Sequence, residues 1–512
     1  MSLITNTNRK WWVLIGVSLA NFLGCVDFTI VNTALPAIQS SLHASVDQLQ
    51  WIINIFLLAL CALMVIMGRL GDIHGRRKVL YMGMVAFGLS SLGAGLSTNI
   101  DMLIIFRLFQ GISTAILYTV AGALVAHTFD KAERGKAMGI MFGVAGIGLA
   151  VGPVLGGILV GALSWRWVFL VNVPVIILSF AICIPSVQES KNTEHGSRID
   201  WLGFVFLSLG LGSLILGMVK GDEWGWISAT TIVTFAIAIA SFITLYYVEK
   251  RTDSPIIKFE LFTNRYFITS ILATFSLGFF YCLAFFLMPL FLHNMQGYDG
   301  FKLGFMLLPT TAVMAILSPF VGRATDKYGP KPLLIIGFIF FVICAALQLG
   351  FHANSSVWFI ALTFATMGVG WAAILGPASV AAISAVPDSA TGVAMGSAWT
   401  LHNVGGVIGL ALGTVVYHYL AKSVFPAARW ADKVVSNPDS AIQTLTQHLH
   451  ISASKATTLL QHSFMGGYHG AMVLLMVVSV IALLVIGLAM PKQKAAVHVD
   501  VNELGETDIH KI

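Results

Sequence analysis

Charge is what this chain has least of: Asp, Glu, Lys and Arg together make up only 10% of its 512 residues, against roughly a quarter in a soluble protein. With 57% hydrophobic residues and a mean hydropathy of +0.86, no water-soluble fold could hide its apolar surface. Cysteine is scarce as well. The five present, Cys25, Cys61, Cys183, Cys282 and Cys344, sit inside apolar stretches without paired spacing, which argues against a disulfide framework or a thiolate metal centre. Missing too are a Walker-type phosphate loop, an H-E-x-x-H helix and any pair of carboxylates within one apolar run. Nucleotide-driven pumping and metal-assisted hydrolysis therefore lack their residues.

What the chain has in abundance is membrane-length hydrophobic runs of about 20 residues. The spans are placed near 12-36, 48-70, 79-98, 101-126, 136-162, 166-185, 200-220, 227-248, 266-293, 300-322, 332-352, 356-385, 390-420 and 464-490. The expected fold class is thus an all-α polytopic membrane protein with about 14 transmembrane helices. An even number puts both termini on one side. If that side is cytoplasmic, its segments carry 21 of the 29 Lys and Arg residues, the opposite side carries 7, and Arg107 is left within a span. The positive-inside rule selects this orientation. The net charge of +6 then reflects loop bias, and no nucleic-acid partner is needed to explain it. The first apolar run is too long for a signal peptide and contains Asp27, so it reads as an uncleaved first helix.

The chain also repeats itself. Gly68-Arg-Leu-Gly-Asp72-Ile-His-Gly75-Arg76-Arg77 returns 254 residues later as Gly322-Arg-Ala-Thr-Asp326-Lys-Tyr-Gly329-Pro-Lys331. The same offset carries the start of the first span onto the start of the ninth. Spans seven and eight consequently stand outside the repeat. The organisation read from this is an N-terminal six-helix bundle at 1-190, a two-helix insertion with a cytoplasmic connector at 191-265, a C-terminal six-helix bundle at 266-490, and a cytoplasmic tail at 491-512. Parallel halves of this kind are a transporter plan in which one bundle rocks against the other. Within the second bundle, 421-463 is a long external loop with an amphipathic stretch around Ile442, Leu445 and Leu449. It reads as a solvated connector, with a lid or docking surface as the alternative.

Deep within spans lie one acid, Asp27, and one base, Arg107. A charge in hydrocarbon costs at least about 2.5 kcal/mol, so intramembrane charges face a cavity or a partner. Counting residues from the helix ends puts the two at similar depth, so that a pair, direct or through water, is geometrically allowed. Such a pair either carries protons or simply ties two helices together. In the fifth span, Gly148, Gly152 and Gly156 share one face and Pro153 and Gly157 follow in the same run; the face permits close helix packing, and the proline permits a bend. Tyr281 occupies the repeat position of Asp27, where it either contacts substrate or packs. His402 is either a titrating group or a neutral hydrogen-bonded one. His448, His450 and His462 are assigned to the loop surface.

These residues resemble the major facilitator superfamily over nearly the whole chain. Gly68 to Arg77 looks like its signature loop G-x-L-x-D-x-x-G-R-[KR], Arg107-Leu-Phe-Gln110-Gly111 its helix-four motif, and Gly152-Pro153-Val-Leu-Gly156-Gly157 the helix-five motif of its antiporters. Asp27-Phe-Thr-Ile-Val-Asn32-Thr-Ala-Leu-Pro36, Trp165 to Pro174 and Pro255 to Arg265 are similar to the 14-helix drug:proton antiporter branch, the EmrB/QacA type. Departures from the branch are Phe56, where Tyr is frequent, and His402, before Asn403-Val-Gly405-Gly406, where Arg is common.

The resemblance implies a secondary transporter, not an enzyme, located in the bacterial inner membrane. It would be a proton-coupled antiporter exporting amphipathic drugs, driven by the proton gradient with no cofactor. Asp27 and Arg107 would couple protons, the Asp72 loop and its echo at Asp326 would gate, and the fifth-helix motif would mark export. Asn32, Gln110, Tyr281, His402 and Asn403 are the candidates to line the substrate cavity. Expected partners are small amphipathic molecules, protons and membrane lipids, with a periplasmic adaptor left open. A dedicated exporter of one metabolite, siderophore or antibiotic shares the scaffold; a membrane enzyme or lipid scramblase is the remoter alternative. The Lys and Arg distribution makes a direct prediction: cysteine labelling will find Glu194 and Asp253 cytoplasmic and Asp439 external, and finding 253 and 439 on one side would break the 14-helix map.

Overall fold

The computed structural model describes residues 5, 8–44, 46–190, 200–252, 255, 259–298, 300–387, 390–424, 446 and 452–491. Glu194, Asp253, Asp439, the amphipathic stretch around Ile442, His448, His450 and the tail from 492 lie outside the described residues. Among those described, every regular element is helical and fourteen helices are long and apolar enough to cross a membrane. They are α1 (Arg9–Leu42), α2 (Val46–His74), α3 (Arg76–Gly95), α4 (Ile100–Thr128), α5 (Arg134–Ala162) and α6 (Trp167–Ser186); then α7 (Trp201–Trp224) and α8 (Ala229–Glu249); then α9 (Arg265–Gln296), α10 (Gly300–Tyr328), α11 (Pro330–Gln348), α12 (Val357–Ser384), α13 (Thr391–Val424) and α14 (Ala453–Ala489). In hydrocarbon no water can satisfy the backbone, so helices are the form this composition must take.

The breaks between helices are local chemistry. Asn99, Ser228, Asn264, Ser356 and Ser452 each accept a hydrogen bond from a backbone N–H of the helix they precede, satisfying donors the helix itself cannot. Gly75 (φ +102°) and Gly329 (φ +78°) turn the chain between α2 and α3 and between α10 and α11. A left-handed turn favours glycine at both places, which is why the glycine recurs in the repeat. Here the side of these two turns is called the gate side.

Two six-helix bundles, α1–α6 and α9–α14, meet along two seams, α2 against α13 and α5 against α10, and the α7–α8 insertion stands outside both bundles. Apolar side chains gain little by leaving lipid for protein, so helices hold through close backbone packing at small residues. Gly135 and Gly139 of α5 face Gly322 and Ser318 of α10, and Gly68 of α2 faces Gly392 of α13; a Cβ at these glycines would strike the partner backbone. Gly304 lies five turns before Gly322 and shares its face, yet a Cβ at Gly304, or at Gly157 or Gly161 on α5, would meet no neighbour within 4 Å among the described residues. The halves therefore touch on the gate side and splay apart on the other.

The helix ends differ most from the sequence expectation at α1, α10 and α14, with α10 running on through the repeated turn sequence to Tyr328. Helix α1 continues through Pro36 to Leu42, because a proline removes one hydrogen bond without ending a helix that its neighbours hold. Helix α14 begins at Ala453, capped by Ser452. His462, assigned above to a loop, therefore stands in the first turns of a helix, where polar residues hid the helical start. Placing Gly322→Val in the tight seam should cost about 1–3 kcal/mol by overpacking and lower the melting midpoint in detergent, while Gly304→Val, on the same face in open space, should not. Equal midpoints for the two variants would contradict this seam.

Candidate functional site: a buried ion pair and two carboxylate caps between the bundles

Asp27 and Arg107 meet directly. The Arg107 guanidinium donates to Asp27 Oδ2 at 2.5 Å, and both side chains are essentially without exposure. The second carboxylate oxygen, Oδ1, accepts from Gln110 Nε2 at 3.2 Å and Asn172 Nδ2 at 3.0 Å. Gln110 Nε2 also donates to Ser91 Oγ at 2.7 Å, and Arg107 Nε donates to the Ile52 carbonyl at 3.0 Å. The guanidinium lies 4.2 Å from the Phe56 ring centroid, a favourable face for a cation. Five helices, α1, α2, α3, α4 and α6, thus converge on one carboxylate. The energetics demand such a network: an ion pair out of water is stable only when its remaining lone pairs and protons are also satisfied.

Helix α5 explains part of this arrangement. A Cβ on Gly148, Gly152 or Gly156 would run into α1 at Phe22, Thr29, Thr33 or Ile30. The glycine face of the fifth helix is therefore an intra-bundle contact that seats α1, while the inter-bundle seam uses a different set, Gly135, Gly139, Gly143 and Gly146. Pro153 and Gly157 are exposed on the splayed side.

At the gate side two carboxylates act reciprocally. Asp72 Oδ1 accepts from Arg76 at 2.8 Å and from the Gly392 N–H at 3.1 Å, and Oδ2 accepts from the Val393 N–H at 3.2 Å. Arg76 reaches on to Thr391 Oγ1 at 2.5 Å. Asp326 accepts from the Gly135 and Lys136 N–H groups at 2.6 and 2.8 Å. Each carboxylate thus caps the first turn of a helix in the opposite bundle, α13 or α5, where free N–H groups and the helix dipole favour an anion. Arg77 stands aside, its guanidinium 5.4 Å from the Tyr81 ring, while the N–H groups of Arg77 and Lys78 are held by Glu189 at the end of the first bundle.

Between pair and gate lies an aromatic layer. Tyr118 of α4 stacks on Trp399 of α13 across the two bundles at 5.2 Å, and Phe142 of α5 adds to it. On the other bundle Tyr281 meets Trp371 at 4.3 Å and Phe285 at 5.1 Å, with the His402 ring parallel at 6.1 Å. His402 Nδ1 is 3.3 Å from the Thr274 carbonyl. Asn403 donates to the Trp399 carbonyl at 2.8 Å and reaches Met64 Sδ of the facing bundle. Of the five cavity candidates, Asn32 is exposed on the splayed side, Gln110 is absorbed by the Asp27 network, and Tyr281, His402 and Asn403 belong to this layer. Sequence reasoning did not single out Ser91, Tyr118, Trp371, Trp399 or Asn172. Only Asn172 carried a signal, its place in the Trp165 to Pro174 run.

The profile of the Major Facilitator Superfamily matches residues 17–410. The chain belongs to that superfamily. A tetracenomycin C resistance and export protein of Streptomyces glaucescens is 30% identical over 83% of this chain and 79% of its own length. The multidrug resistance protein Stp of Mycobacterium tuberculosis is 32% identical over 81% of this chain and 77% of its own. Among solved structures, the human organic anion transporter MFSD10 (TETRAN) superposes with a TM-score of 0.65 at 14% identity, covering 93% of this chain and 99% of that one; the likeness is one of fold. The protein is a multi-pass membrane transporter and not an enzyme.

Removing Arg107 would leave a charge in the bundle with no counter-ion, a loss of roughly 3–5 kcal/mol, whereas removing both charges costs less. Arg107→Met should consequently melt well below wild type in detergent, and Asp27→Asn/Arg107→Met should recover part of the difference. A double variant less stable than the single would refute the pairing energetics.

Proposed function

We propose that the protein is a proton-coupled antiporter that exports amphipathic drugs or toxic small molecules by alternating access, with the gate side cytoplasmic and the splayed side external. The observation that carries this reading is the Asp27–Arg107 pair, sealed deep within the first bundle away from either helix end. The resistance and export names of the relatives support the direction and class of cargo. The excess of Lys and Arg on the gate side supports the orientation, and with it an inner-membrane location.

In this reading the conformation is outward-open, with its carboxylate ionised and paired. Loss of hydration favours a protonated carboxyl, and a guanidinium at its side favours the ionised form. A proton from outside would neutralise Asp27 and release Arg107, on α4. Tyr118 lies three turns along the same helix, stacked on Trp399 of the other bundle; motion of α4 is in this way mechanically connected to the interface. In the inward-facing state the pair re-forms and the proton leaves to the cytoplasm as cargo binds. Each charge moved across 100 mV contributes about 2.3 kcal/mol, so no cofactor is required. The apolar and aromatic layer suits amphipathic cargo, and the absence of a second carboxylate in the network suits neutral or singly charged molecules.

The test is substrate-induced proton release from purified protein in weakly buffered detergent. Wild type should acidify the medium on addition of cargo; Asp27→Asn should remain folded, release no proton and fail to drive uphill export in vesicles. Release at the wild-type level from Asp27→Asn would move the carrier elsewhere.

A further inference from the structure

Two seams join the bundles, and among the described residues only one of them is covered. Over the α2–α13 seam lies the insertion: Leu207 and Leu211 of α7 and Leu245 of α8 pack in one cluster with Ala62, Val65 and Ile66 of α2 and Val393 and Val404 of α13. This roof is fixed at both ends. Away from the gate, Lys220 of α7 is buried, ion-paired to Glu223 at 2.5 Å, 3.3 Å from Gln50 Oε1 and 5.6 Å from the Trp51 ring centroid of α2. A lysine near a helix end would ordinarily extend to the membrane surface; this one is turned onto the first bundle. At the gate end, Phe262 of the short 3-10 helix Phe259–Thr263 joins the same cluster and packs edge-on against Phe267 of α9 at 5.6 Å. Asn264 adds a hydrogen bond to the Ala385 carbonyl at 3.4 Å. One end of the insertion is therefore held by the first bundle and the other by the second.

Among the described residues the α5–α10 seam has no such cover. Ile147, next to Gly146, is 47% exposed, and Ile316, next to Ala315, is 62% exposed, so lipid reaches the flanks of a contact built from Gly139, Gly143, Met314, Ala315 and Ser318. If the gate opens by separating the bundles, as the alternating-access reading requires, the first seam parts beneath a roof and the second parts against the bilayer.

The geometry points to a one-sided lateral portal: amphipathic cargo reaches the opened gate-side cavity from the adjoining membrane leaflet between α5 and α10, while α7 and α8 keep the α2–α13 seam closed to lipid. The gap that forms is lined by small and apolar groups. It matches molecules already concentrated in the leaflet by their own apolar area. Water-soluble cargo would not need it.

The experiment uses the full chain in liposomes containing a bilayer-confined aryl diazirine, with carbene insertion mapped by mass spectrometry. Wild type is compared with Asp72→Asn/Asp326→Asn, which weakens both gate caps. A spin-label pair at His74 and Tyr328, repeat-equivalent ends of α2 and α10, reports gate opening independently. With the gate open, insertion at Met314–Ser318 should rise at least fivefold while that at Met64–Val65 and Met395 stays within twofold of wild type. Equal gains at both seams, or a gain at the roofed one alone, would overturn the portal; a spin-label distance that never lengthens, in the variant or in wild type given cargo, would overturn alternating access instead. As a second measurement that leaves the gate intact, Ile316→Lys should slow transport of a membrane-partitioned cation about tenfold and leave a water-soluble one within twofold. An equal loss for both would also count against the portal.

Discussion

A carboxylate cannot stand alone in hydrocarbon, and much of this structure follows from where its few carboxylates find partners. Asp27 gathers a guanidinium and two side-chain amides from two helices, and through Ser91 and the Ile52 carbonyl two further helices are drawn in. Asp326, and Asp72 beside its own pair with Arg76, add backbone N–H groups at helix starts of the opposite bundle. The difference in partner is a difference in permanence. Under the alternating-access reading proposed above, a network inside one bundle is preserved when the bundles rock, whereas a cap made across bundles must break when they separate.

Small residues decide how near the bundles can come. On α5 one glycine face seats α1 and another meets α10, so a single helix serves both its own bundle and the contact with the other. The contact is tight where Gly135 meets Gly322 and absent at Gly157, Gly161 and Gly304. Contact at one end of this seam and none at the other leaves the bundles apart on the splayed side.

The two halves are alike in path and unlike in chemistry. The position of Asp27 is taken in the second bundle by Tyr281, within an aromatic group, and the buried polar contact there is neutral, Tyr468 to Gln348 at 2.5 Å. One bundle thus holds the charge and the other presents aromatic surface to it. The insertion adds a second asymmetry by covering one seam and leaving its counterpart exposed.

Much of this was legible from residues in order. Hydrophobic run length announced the helices, since a membrane leaves the backbone no other form. The 254-residue echo announced two bundles and the insertion between them, because Gly75 and Gly329 make the same left-handed turn for the same reason. Asp27 and Arg107 stood out as the one acid and one base far from any helix end, and lone charges in lipid must find each other. What the linear order did not hold was partnership among ordinary residues. Ser91 is one serine among many, Gln110 read as a cavity residue until its amide was found on Asp27, and Trp399 gains its place only when α13 crosses to Tyr118. Lys220 is the last residue of its predicted span, and its burial depends on Gln50 and Trp51, distant in sequence. Composition and spacing determine which helices form and which groups need a partner, but which partner each one takes depends on distances that only packed helices possess.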